Sequence, residues 1–230
     1  MMTIKSKFIA LLSILIFTTV AEIDAQRIQN SFLIGANYSF GDPENIKSGF
    51  IIEYEFQVSI SDYFSICLSP NLNVSNYSAS TYDLNGTTIV SEKEMEISTS
   101  IPSISFYPKI TLPIGDDLIF FMTAGTSGYR SFSNASLMTT DHQSSEVTSK
   151  SFKASSNYKL GLSTSIGTQV YLNDKIDLIF KLKWDNINPG SSMNDLEFGG
   201  DWNKIDLKSS IFSVSAGVTI QLFNKRNKAK

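Results

Sequence analysis

The sequence is short of nearly everything that catalysis, metal binding or disulfide chemistry draws on. It holds one cysteine, Cys67, so no intramolecular disulfide can form. It holds one histidine, His142, distant in sequence from that cysteine, so the ligand spacings of a zinc site are missing. Gly199-Gly200 is followed by Asp201 and Trp202, not by the Lys-Ser/Thr of a phosphate-binding loop. These absences predict neither a metal nor a cofactor. The net charge is only −3, with neither sign concentrated, which removes any electrostatic reason to expect nucleic acid. Past residue 25 no run approaches 18 consecutive apolar residues, so no membrane-spanning helix is expected.

The chain opens on Lys5 and Lys7, an apolar run from Phe8 to Val20, and Ile23-Asp24-Ala25 before Gln26. Two lysines, a short apolar stretch and a small-residue end read as a secretory signal peptide over residues 1–25. The residue directly after the cleavage point is Gln26, not a cysteine, which argues against a lipid-anchored protein. Residues 26–223 suit one domain, and a basic tail occupies 224–230.

What the domain has in quantity is alternation. Phe50, Ile52, Tyr54, Phe56, Val58 and Ile60 share one face of a strand, with Ile51, Glu53, Glu55, Gln57 and Ser59 on the other. After Ser61-Asp62-Tyr63 the pattern resumes with Phe64, Ile66, Leu68, Pro70, Leu72 and Val74. Period 2 sustained this long is a strand signal, and an unbroken apolar face of about 11 residues matches a transmembrane β-strand. The same pattern recurs over 31–40, 118–129, 157–172, 176–185 and 212–222. A less regular strand covers 95–110, where Ile97 and Ile101 give way to Ile104 and Phe106, predicting a bulge near Pro102. Gly125 and Gly128 are expected to leave room in a crowded interior.

Eight strands result, joined alternately by tight turns and longer loops: 41–47, 76–94, 131–153 and 188–207 are the longer ones. The expected fold is all-β, an eight-stranded antiparallel up-and-down transmembrane β-barrel in a bacterial outer membrane. Tyr38, Phe40, Phe50, Tyr129 and Trp184 are expected at one membrane interface, and Tyr63, Phe64, Tyr171 and Phe223 at the other.

The signal segment ending Asp24-Ala25-Gln26, Ile101-Pro102-Ser103 and the glycine-bearing strand 118–129 resemble small outer-membrane β-barrel proteins of Bacteroidota, of PorT-like and OmpX-like kind. The last strand, with Ser215, Gly217, Ile220, Leu222 and Phe223, resembles the terminal signal read by the barrel-assembly machinery. The resemblance implies outer-membrane lipid and lipopolysaccharide as surroundings, that machinery as a partner, and an envelope or extracellular protein as a possible contact through the loops.

An eight-stranded barrel is just wide enough for side chains to fill it. Glu53, Glu55, Lys159, Asp177, Lys181, Lys183 and Asp185 fall on interior positions, four acids against three bases. An isolated buried charge is costly, so these residues are expected to pair across the lumen as a plug. The leading role is structural, adhesive or docking, with no enzyme activity. Three alternatives remain: a narrow solute channel, a lipid A-modifying enzyme, and a secreted lipocalin-like barrel with the apolar faces turned inward. His142-Gln143-Ser144 has the spacing of a His/Ser pair but lies within a polar loop.

Overall fold

Eight strands close into a ring, and a two-stranded hairpin continues one side of it upward. The structure, a computed structural model, describes residues 27–40, 48–85, 88–188 and 210–224. The predicted signal segment, the first and last long loops and the tail beyond Asn224 lie outside these residues. The elements are β1 (Arg27–Phe40), β2 (Gly49–Ser59), β3 (Phe64–Asn85), β4 (Thr88–Ile114) and β5 (Leu118–Tyr129), then β6 (Phe132–Asp141), β7 (Glu146–Ser155), β8 (Lys159–Tyr171), β9 (Ile176–Asp185) and β10 (Ser210–Asn224). All pairings are antiparallel, and the ring runs β1–β2–β3–β4–β5–β8–β9–β10. β10 returns to β1 over almost its whole length, from Arg27↔Asn224 to Phe40↔Ser210, and closes the ring. Within the ring, closure pairs each strand with a neighbour on both sides, which is the condition for crossing a bilayer with strands.

β4 is the longest element and explains the upward extension. Its Ser103–Ile114 half pairs with β5, while Ser91 to Ser100 pairs with β6. β7 then pairs with β6. Above the ring, the upper parts of β3 and β4 with β6 and β7 form a four-stranded blade. Two segments predicted as loops, 76–94 and 131–153, are therefore mostly strand. Their Ser/Thr/Asn composition hides the alternation because one face meets water and the other is only partly covered.

The expected bulge near Pro102 is absent. β3 and β4 stay in register through Leu72↔Pro102, and their one irregularity lies at Asp83/Leu84. Burial alternates along β4 without a slip, with Met95, Ile97, Thr99, Ile101, Ser103, Ser105, Tyr107 and Lys109 all inward. What changes is the surroundings. Below Pro102 the outward residues are Ile104, Phe106, Pro108, Ile110, Leu112 and Ile114; above it they are Ser98, Glu96 and Glu94. Inward, Met95 and Ile97 pack with Ala135 against Tyr77, Leu137, Phe152 and Ala154. The polarity of the two faces inverts at that level while the backbone parity holds.

From Ile104 to Ile114 the strand advances about 34 Å at ~3.4 Å per residue, or about 25 Å along the barrel axis at a tilt near 40°. That is the height of the apolar band an outer-membrane barrel presents. The tight turn after β4 contains Gly115, whose φ of 70° lies in the left-handed region that glycine enters freely.

Candidate functional site

The interior of the ring is a stack of layers, read most simply along β9. Going from the turn end to the loop end, its inward residues are Asp177, Ile179, Lys181, Lys183 and Asp185, with Ile187 just beyond the strand. Ile179 packs with Leu33 and Phe121. Ile187 packs with Ile101, Tyr129 and Ile211. The charges between these two apolar layers are thus cut off from water at either end.

Lys181 is the centre of that charged layer. Its Nζ donates to Glu53 Oε1 at 2.7 Å, to Glu55 Oε2 at 2.7 Å and to the Tyr107 hydroxyl at 3.0 Å. Lys109 donates to Glu55 Oε1 at 2.9 Å and Gln57 Oε1 at 2.8 Å, with its Nζ 4.2 Å from the Phe121 ring centre. Tyr107 donates to Glu55 Oε2 at 2.6 Å, and Ser69 to Glu53 Oε1 at 2.6 Å. Lys183 lies 3.1 Å from Asp185 and 3.8 Å from Glu53. Three lysines thus meet three carboxylates, and the layer is neutral overall. Asp177 stands apart near the turn end, held by Gln169 Nε2 at 2.6 Å and Gln221 Nε2 at 3.0 Å. Cys67, buried beside Glu55 at 3.8 Å, fills space in the same layer.

The remaining lumen is lined by small hydroxyls and amides. Ser105 and Ser127 meet at 2.6 Å, Thr123 and Ser165 at 2.6 Å, and Asn37 donates to Asn73 at 3.2 Å. Gly167 gives Phe121 its place, because a Cβ there would collide with the Phe121 ring.

Of the seven sequence-predicted interior charges, five are brought together; Asp177 is interior but apart from them, and Lys159 is not enclosed. Lys159 is exposed at the first residue of β8, at the mouth of the ring. Its alternation is that of an interior residue, but it sits too high to be enclosed. Lys109 takes its place in the network, and Tyr107 and Phe121 belong there as well. The signal for Tyr107 and Lys109 was present in outward Phe106, Pro108 and Ile110, which force their neighbours inward. The supposed parity change in that strand obscured it.

On the outside, Tyr38, Phe212 and Trp184 line up across β1, β10 and β9 at the loop end of the belt. Phe50 is exposed at the same end of β2, and Tyr63 and Phe64 are exposed at the turn end. Tyr129 is not at an interface but buried in the upper apolar layer, while Tyr171 lies at the turn end, where its hydroxyl donates to Asp174 at 2.7 Å. The side chains of Phe40 and Phe223 lie outside those described. Gly128 faces outward, so of the two glycines in β5 only Gly125 borders the interior, against Tyr107. His142 and Ser144 sit in the exposed β6–β7 turn. The histidine Nε2 is 3.9 Å from Glu92, while the Ser144 amide donates to Asp141.

Phe32, Ile34, Ile104, Phe180 and Ile220 stand exposed around the ring, while Glu53, Glu55 and Lys181 are enclosed by it. Such a surface excludes the lipocalin-like arrangement, which needs the opposite sidedness, and is stable only in lipid. The chain is an outer-membrane β-barrel. No protein-family model matches it, and no curated protein does. Among solved structures it is similar to the attachment invasion locus protein Ail of Yersinia pestis, at 10% identity over 85% of this chain and 99% of that one, TM-score 0.39. It is also similar to Neisserial surface protein A, at 9% identity over 84% and 96%, TM-score 0.44. The outer membrane protein OprG of Pseudomonas aeruginosa is a third, at 11% over 86% and 94%, TM-score 0.42. The similarity is one of outline; placement in the membrane follows from ring closure and the apolar belt.

Proposed function

We propose that this barrel does not conduct and that its role is to hold the β3–β4–β6–β7 blade clear of the membrane as a docking surface for another protein. One observation carries the reading: the wall enclosing a filled lumen continues, without a break in β3 or β4, into that sheet. A rigid, mostly polar sheet standing beyond the apolar belt suits adhesion or contact with another envelope protein, since recognition concentrates in what a scaffold projects. The strand order ends at β7, so an extended segment of the partner could add there by main-chain pairing. Lys181, Lys109 and Lys183 with Glu53, Glu55 and Asp185 act as the plug, and catalysis has no part in this reading. The PorT-like and OmpX-like kinship, and recognition of Ser215, Gly217, Ile220, Leu222 and Phe223 by the barrel-assembly machinery, belong to the same proposal. Support for the latter is the position of β10 as the strand that closes the ring.

The test combines two measurements. A photo-crosslinking residue replaces Val147 on β7 in intact cells, and another replaces Asp174 in a tight turn at the opposite end. The purified barrel is then added to a planar bilayer. A discrete crosslinked partner from position 147 but not 174, with no steady current, supports the proposal. A steady cation current would replace it with a channel.

A further inference from the structure

At the level where the outer wall turns from apolar to polar, Arg130 stands without an acid among the described residues. Arg130 links β5 to β6. Its Nε donates to the Ser156 carbonyl at 2.9 Å and its Nη2 to Ser155 Oγ at 3.0 Å. Its Cζ is 4.8 Å from the Phe132 ring centre and 5.7 Å from that of Tyr158. Both acceptors are neutral, and among the described residues no carboxylate lies within ion-pair distance of the guanidinium. Those two bonds leave three of the five guanidinium N–H groups for another acceptor.

The neighbours describe what that acceptor should be. Tyr158 and Leu160 are 83% and 84% exposed, well beyond the other large apolar side chains of the wall. Phe152 and Ala154 pack inward, so Lys153 lies on the outward face of β7 and adds a second positive charge. The carboxylates on that face are further from the membrane: Glu96 pairs with Ser136 and Glu94 with Met138, two and three outward positions above Phe132. The face is basic next to the belt and acidic at a distance. A half-dry guanidinium is stabilised by a counter-charge, and its planar fork matches a phosphate with two parallel hydrogen bonds. Tyr158 and Leu160 supply the apolar contact that an attached acyl chain would cover.

We propose that Arg130, with Lys153, Phe132, Tyr158 and Leu160, forms a site on the outer wall for the phosphate of an anionic lipid in the leaflet on the blade side. The test uses the full chain in phosphatidylcholine nanodiscs doped with either bis-phosphorylated lipid A or its dephosphorylated form. Native mass spectrometry then reads the lipid retained on the released barrel. Retention of the phosphorylated form should exceed the other by on the order of tenfold, the worth of one good charge-assisted contact. Arg130→Gln should lose that preference, and Arg130→Lys should keep only part of it because the fork is gone. Lys159→Gln, at the mouth, should keep it whole. A boiling-dependent gel shift checks that each variant is folded. If Arg130→Gln fails to fold, Arg130→Lys and Lys153→Gln carry the test, and undiminished preference in both overturns the site. Equal retention of the two lipids, an unchanged Arg130→Gln, or full displacement by inorganic phosphate would also overturn it.

Discussion

Replacing Lys181 with Met keeps the length of the side chain and removes its charge. Three contacts vanish, to Glu53 at 2.7 Å, Glu55 at 2.7 Å and Tyr107 at 3.0 Å. The layer then holds Glu53, Glu55 and Asp185 against Lys109 and Lys183 alone, one negative charge in excess. Glu55 keeps Lys109, but Glu53 is left with a Lys183 contact at 3.8 Å. Breaking a buried pair on one side costs about 3–5 kcal/mol. Neutrality is recovered by adding Glu53→Gln, so the double variant should regain about half of that loss, ~1.5–2.5 kcal/mol, and stand well above the sum of its singles. The assay is urea unfolding of the barrel in short-chain phosphatidylcholine vesicles, followed by tryptophan fluorescence and by the boiling-dependent gel shift. Two results would refute the reasoning: Lys181→Met within about 1 kcal/mol of the parent, or a double variant as unstable as the sum of its singles.

The inversion of polarity at Pro102 makes a paired prediction. Phe180→Arg, in mid-belt, should cost about 2–4 kcal/mol in the same assay. Ser136→Arg on the blade should change stability by less than about 0.5 kcal/mol, and equal effects would place the membrane boundary elsewhere. Gly167→Val should displace Phe121 and cost about 1–3 kcal/mol, while Gly128→Ala, with almost nothing near its missing Cβ, should be close to neutral. The β6–β7 turn should respond to acid in a defined direction. Amide N–H groups of Ser144 and Gln143 donate to Asp141 and hold its pKa below the ordinary aspartate value. A depressed carboxylate contributes its stability above the ordinary value and loses it as pH falls through the lowered one. Protection of those two amides from exchange should therefore persist down to the ordinary aspartate range and fade below it. Loss well above the ordinary aspartate range would refute the assignment of this protection to Asp141.

Much of the barrel could be read from alternation alone, because lipid outside and hydroxyls inside write a period of 2 into Phe50–Val58 and Leu160–Leu172. The blade could not, since its outer face is polar and its inner face holds only scattered apolar residues such as Met95, Ile97 and Leu137. With no lipid to demand one sign outside, strand and loop look alike in composition. Ile101 followed by Ile104 then imitates a register slip where the environment, not the backbone, has changed. Interior charges were legible by parity, but parity carries no height. For that reason Lys159 was read as enclosed, and Lys109 emerged only once the β3–β4 register was known.

The clasp between Glu53 and Lys181 joins positions 128 residues apart in the chain. During synthesis the two carboxylates of β2 exist long before the lysines of β9. A partly built sheet carrying β1 to β5 would present Glu53 and Glu55 with Lys109 as the only cation of the layer. In that state the layer would hold one negative charge in excess. Charge balance in the layer is complete only when β9 has come round to face β2.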